Sequence, residues 1–148
     1  MLANWIHIVI VHFAVIGTPW LLYRAMKQRN YAMDNAPWKL NYSLLILFGI
    51  TSGIAYFTGP EAADYLKGFL EGYNQNLVEN HALWGRAAFV IQVIAAFLGI
   101  MGWASIFQEE KPDKRIAWLI IALLAVNILV MLYTAHLGGQ IRRPDLIF

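Results

Sequence analysis

The sequence predicts an all-α fold, a four-helix transmembrane bundle running up-down-up-down within one domain, residues 1–148. Two observations carry that expectation. Of 148 residues, 59% are hydrophobic and 14% charged, with a mean hydropathy of +0.53, whereas soluble domains run near 45–50% apolar and about 25% charged. Four apolar stretches also approach or exceed the roughly 20 residues a helix needs to cross the hydrocarbon core. So little polar surface excludes a soluble enzyme, a disordered chain and a nucleic-acid binder. The chain has no cysteine, which excludes disulfides, thiolate metal sites and covalently attached c-type haem.

The spans fall at residues 5–23, 40–57, 82–107 and 116–137. RAMKQRNYAMDNAPWK joins the first two and QEEKPDKR the last two. The middle connection, 58–80, is longer and mildly acidic. It predicts a short amphipathic surface helix, because Pro60 suits a first helical turn and Tyr65, Leu66, Phe69 and Leu70 share one face. Trp5, Trp20, Trp38, Trp84, Trp103 and Trp118 lie near span ends, where interfacial belts place them.

Charge sets the expected orientation. Arg24, Lys27, Arg29, Lys39, Lys111, Lys114 and Arg115, seven of the eleven cations, fall in the connections after spans one and three. Lys67, Arg86, Arg142 and Arg143 fall on the other side. The positive-inside rule then puts both termini and the 58–80 connection outside. His7 and His12 interrupt the apolar run a cleavable signal needs, so span one is expected to be retained.

All four histidines gather at that outer end: His7 and His12 in span one, His81 opening span three and His136 closing span four. Ionisable groups inside spans mark sites, although interfacial histidines with wet rings are the plain alternative for His7, His81 and His136. On span three, His81, Gly85, Ala88, Gln92, Ala95 and Gly99 recur at spacings of 4, 3, 4, 3 and 4 and share a small, polar face. Small residues permit close helix packing; beside a histidine they also make room for a macrocycle. Gly49 and Gly53 form a small-xxx-small pair that packing explains.

Bis-histidine ligation of haem iron recurs in helical bundles. His7 and His12 project about 140° apart, so they do not share one iron. The expected pairs are His12 with His81 and, for a second haem, His7 with His136. Arg86, Arg142 and Arg143 offer partners for propionates. Chlorophyll magnesium is an alternative occupant. So is a zinc or copper ion held by three histidines and a carboxylate such as Glu79.

IHIVIVHFAVIG, GITSGIAYFTG, NHALWGR and HLGGQI are similar to an uncharacterised four-helix bacterial membrane family, a domain of unknown function described as cytochrome-b-like. The resemblance covers nearly the whole chain. Its most specific pieces are the H-x4-HF start and the GG pair after the last span. The proline usual after HF is Ala14 here, with Pro19 five residues later. Members often occur beside or fused to periplasmic cytochromes and dehydrogenases, so the resemblance implies electron transfer in a bacterial inner membrane.

The expected function is a b-type cytochrome subunit passing electrons between a quinone and a periplasmic redox partner, rather than a self-contained enzyme. Its cofactor is one haem b or two, with His12, His81, His7, His136, Arg86 and Gly85 as site residues. The alternatives are a non-redox packing or anchor subunit of a larger photosynthetic or respiratory complex, and a histidine-cluster metal-binding membrane protein. The lipid bilayer and other membrane subunits are expected partners, nucleic acid is not. A reporter active only in the cytoplasm, fused after Phe148, is expected to stay silent; activity there overturns the periplasmic placement of the termini.

Overall fold

Four helices form in the order of the four predicted spans: α1 (Leu2–Gln28), α2 (Ala36–Lys67), α3 (Gln75–Phe107) and α4 (Lys114–Arg142). The structure, a computed structural model, describes residues 2–70 and 72–143, the side chains of 2–4 excepted. All four helices are long and apolar enough to cross a membrane. The chain is a multi-pass membrane protein.

Side chains from the connections start three of the helices. Asn35 Oδ1 accepts from the Trp38 N–H at 3.1 Å, with proline in the first turn of α2. Asn74 caps α3 through the Leu77 N–H, and Asp113 caps α4 through the Arg115 N–H. Each satisfies an amide that the helix itself leaves open.

The surface helix expected between spans two and three is not a separate element. Pro60 lies inside α2, which continues to Lys67, and α3 begins at Gln75. Proline removes one helical N–H, yet membrane helices keep such residues where neighbouring hydroxyls re-satisfy the backbone. The carbonyl that Pro60 frees is that of Tyr56, while the Thr58 hydroxyl donates half a turn further back, to the Ile54 carbonyl at 2.8 Å. α1 likewise runs through Pro19, with Thr18 Oγ1 donating to the Ala14 carbonyl at 2.8 Å.

Each helix packs on its neighbours in sequence and α1 closes the ring against α4, leaving α1–α3 and α2–α4 as diagonals. At the end carrying the 29–35 and 108–113 connections the bundle is dense. Trp38, Tyr42, Leu45, Leu21, Ile120 and Leu124 are fully buried there. Trp38 is therefore not an interfacial anchor: its indole N–H donates to the Gln28 carbonyl at 3.0 Å inside the core. A Cβ on Gly102 would fall 2.6 Å from the Tyr42 ring, and one on Gly49 would overlap Ala96. The α2–α3 seam is that close. Leu47, Ile100 and Leu119 face outward, as residues bathed in lipid do.

At mid-depth α3 and α4 are joined by one buried amide bond, Asn127 Nδ2 donating to Gln92 Oε1 at 2.8 Å. Interhelical hydrogen bonds in membranes contribute about 0.6–1.7 kcal/mol. Asn127→Leu is expected to lower stability by about that amount, and the Gln92→Leu/Asn127→Leu double variant by less than the sum of the singles. Reversible unfolding in mixed micelles reads both; strict additivity contradicts the coupling.

Candidate functional site

The inward face of α1 is set by His7, Val11, Ala14, Thr18, Leu21 and Ala25, and that of α3 by His81, Gly85, Ala88, Gln92, Ala95 and Gly99. In both, the first two residues are half-buried and the last four buried. The spacings are identical. Residues 38, 41, 45, 48, 52, 55 and 59 of α2 match 117, 120, 124, 127, 131, 134 and 138 of α4 in the same way, the last two of each row half-buried and the rest buried. The bundle is thus two equivalent helical hairpins, α1–α2 and α3–α4. They are related by a pseudo-two-fold axis along the bundle, as in membrane folds built from parallel repeats. His7 and His81 occupy the same register, as do Gly59 and Gly138.

Each of these histidines bonds to the second helix of its own hairpin. His7 Nδ1 lies 2.9 Å from the Ala55 carbonyl and 3.3 Å from Thr58 Oγ1. His81 Nδ1 lies 2.9 Å from the Thr134 carbonyl. A carbonyl oxygen only accepts, so Nδ1 carries the proton in both rings, and Nε2 of the neutral imidazole keeps its lone pair. Four residues past each acceptor stands the glycine. An added Cβ would lie 3.5 Å from His7 Cε1 at Gly59 and 3.1 Å from His81 Cε1 at Gly138.

Both imidazoles line a cavity of about 580 Å³ that extends along the α2–α3 seam past Gly85, Arg86, Phe89, Tyr56 and Phe57. Its floor is small, formed by Ala14, Ser52, Ala88 and Met131. Both also line a second cavity of about 350 Å³ along the α1–α4 seam, past Val11, His12, Val15, Gly138 and Arg142. The two seams are exchanged by the pseudo-two-fold, and His12 and Arg86 hold matching positions in it. Together the cavities make a slot across the bundle, with His7 and His81 on its walls. Ligand cavities of about 300–1,000 Å³ are typical of cofactor sites. Ser52 Oγ, buried, finds no protein partner among the described residues.

The structure sets His7 and His81 together on both cavities, a pairing that the sequence did not suggest. His12 is exposed; its Nδ1 lies 2.7 Å from the carbonyl of its own helix at Ile8, and it borders only the smaller cavity. His136 is exposed beside Gln140, its Nε2 3.1 Å from Gln140 Nε2, and lines neither cavity. The reason is rotational. With residue 7 turned inward, residue 12 is carried about 140° around the helix, and the diagonal placement of α1 and α3 sets His7 opposite His81. Gly85 and Arg86 border the larger cavity as candidates should.

Three histidines and Glu79 do not gather around one point among the described residues: no group of three or more histidine, aspartate or glutamate side chains converges there, and Glu79 instead accepts from Gln75 Nε2 at 2.8 Å. Sequence reasoning missed the Ala55 and Thr134 carbonyls, the seating glycines and Ser52. The glycines alone left a signal, each closing a matched row of inward positions.

A scan against protein-family models gives no match to this chain, and neither the curated proteins nor the solved structures contain a match.

Proposed function

We propose that this chain is a membrane-embedded b-type cytochrome subunit that holds one haem between His7 and His81. The single observation behind this reading is the pair of oriented imidazoles. Each has its proton committed to a backbone carbonyl and its Nε2 lone pair free, and both border the same apolar cavities. Two neutral imidazoles bordering one cavity suit the two axial positions of haem iron, and no third protein ligand is needed. When bound, haem supplies a one-electron carrier.

The chain's own contribution is placement and environment. Backbone acceptors fix each ring's tautomer and orientation and raise its basicity as a ligand. Ala14, Ala88 and Gly85 leave room for a flat, bulky body, and the aromatic wall of Tyr56 and Phe89, stacked at 4.8 Å, separates it from lipid. Arg86 and Arg142 border the two cavities and are suited to carboxylate groups at a macrocycle's rim. The cation asymmetry supports a periplasmic position for this end in a bacterial inner membrane, which suits electron transfer between a quinone and a soluble or membrane-bound redox partner. A packing or anchor subunit has no use for two oriented imidazoles at an apolar cavity, which is why the redox reading is preferred.

Purified protein reduced with dithionite is expected to show the sharp α-band of b haem. His7→Ala and His81→Ala each lose it, whereas His12→Ala, His136→Ala and Arg143→Ala keep it. Absence of the band from the unmodified protein, or its survival in both inward variants, contradicts the reading.

A further inference from the structure

The two imidazole seats are built alike, and their likeness reaches beyond ligation. In each hairpin the first helix supplies the histidine and the second supplies a carbonyl acceptor, with a glycine four residues later. The ring's Cε1–Nδ1 edge approaches that glycine's missing side chain. Ala55 and Gly59 serve His7; Thr134 and Gly138 serve His81. These positions are equivalent under the pseudo-two-fold, although the acceptor residues differ in kind.

We propose that Gly59 and Gly138 are positioning residues that fix the plane of the two imidazoles, so that the hairpins act as equivalent half-sites for one planar macrocycle. This rests on the haem reading for its ligand and on the hairpin geometry for the seats. Helix formation does not call for glycine at either position, since glycine weakens a helix interior relative to alanine. Close approach does. A Cβ at Gly138 would sit 3.1 Å and 3.4 Å from His81 Cε1 and Nδ1, tight enough that the ring has to turn or withdraw. At Gly59 the distances to His7 Cε1 and Nδ1 are 3.5 Å and 3.9 Å, an ordinary contact. Gly139, the next residue along, meets nothing within 4 Å. Turning a ring weakens its bond to the carbonyl and rotates the ligand's plane, and both alter the metal that the ring holds.

Gly138→Ala and Gly139→Ala, neighbours in α4, separate this role from helix stiffening, because both gain about the same helix propensity; Gly59→Ala, which precedes Pro60, compares the second seat. In ferric, haem-loaded protein the low-spin electron paramagnetic resonance g-values are expected to shift most for Gly138→Ala, slightly for Gly59→Ala and not for Gly139→Ala. Protein prepared without haem and labelled with nitrogen-15 in histidine gives a second reading. There, the rings of His7, His81 and His12 are expected to be protonated at Nδ1 and hydrogen-bonded, and Gly138→Ala is expected to perturb the His81 signal alone. If Gly138→Ala matches Gly139→Ala in both measurements, the proposal is overturned. A protein that takes up no haem overturns the reading of the site, while the nitrogen signals still decide the seats.

Discussion

Two hydrogen bonds, from His7 to the Ala55 carbonyl and from His81 to the Thr134 carbonyl, determine what the interior of this bundle can do. A half-buried imidazole has to place its N–H somewhere. Giving that proton to the neighbouring helix satisfies the donor, ties α1 to α2 and α3 to α4, and leaves Nε2 as the one unsatisfied nitrogen of each ring. If either bond formed through Nε2 instead, the lone pair would point away from the cavity and the two hairpins would have nothing to share. The side-chain-free surfaces of Gly59 and Gly138 are the backbone arrangements that let the rings come so close.

The rest of the fold divides the labour between its ends. Around Trp38, Tyr42 and Leu45 the helices interlock with large side chains, and the Arg24 and Gln28 side chains are tied to the buried Asn41. Around the histidines the inward positions shrink to alanine and glycine, and a hollow of about 580 Å³ opens. Protein interiors are ordinarily close-packed. The dense end fixes the four helices rigidly enough for the open end to keep its shape, with the Gln92–Asn127 amide bond marking the boundary between them.

Much of this was legible in the sequence. Hydropathy gave the four spans, and the 4-3-4-3-4 row from His81 to Gly99 is the inward face of α3. Gln92 and Asn127 bond neighbouring helices, as amides deep in spans should. Other features left no residue-level mark. A backbone carbonyl looks the same in every residue, so neither Ala55 nor Thr134 could be singled out. Two histidines about 140° apart announce that one faces in, but only the packing of α1 against α2 and α4 says that it is His7. Pro60 read as a helix start because proline suits a first helical turn, whereas α2 runs through it to Lys67. The repeat between hairpins was hidden because it lives in the register of burial; among paired positions only His7/His81, Ala14/Ala88, Leu45/Leu124 and Gly59/Gly138 are identical.

The central claim is that one pair of inward imidazoles makes one site. Titration of the haem-free protein with ferric haem, followed by the rise of the low-spin optical spectrum, tests it most directly. A single break at one haem per chain is predicted, because only His7 and His81 border both cavities, while His12 borders the smaller alone and His136 neither. Failure to saturate, or a break at two haems per chain, would contradict it.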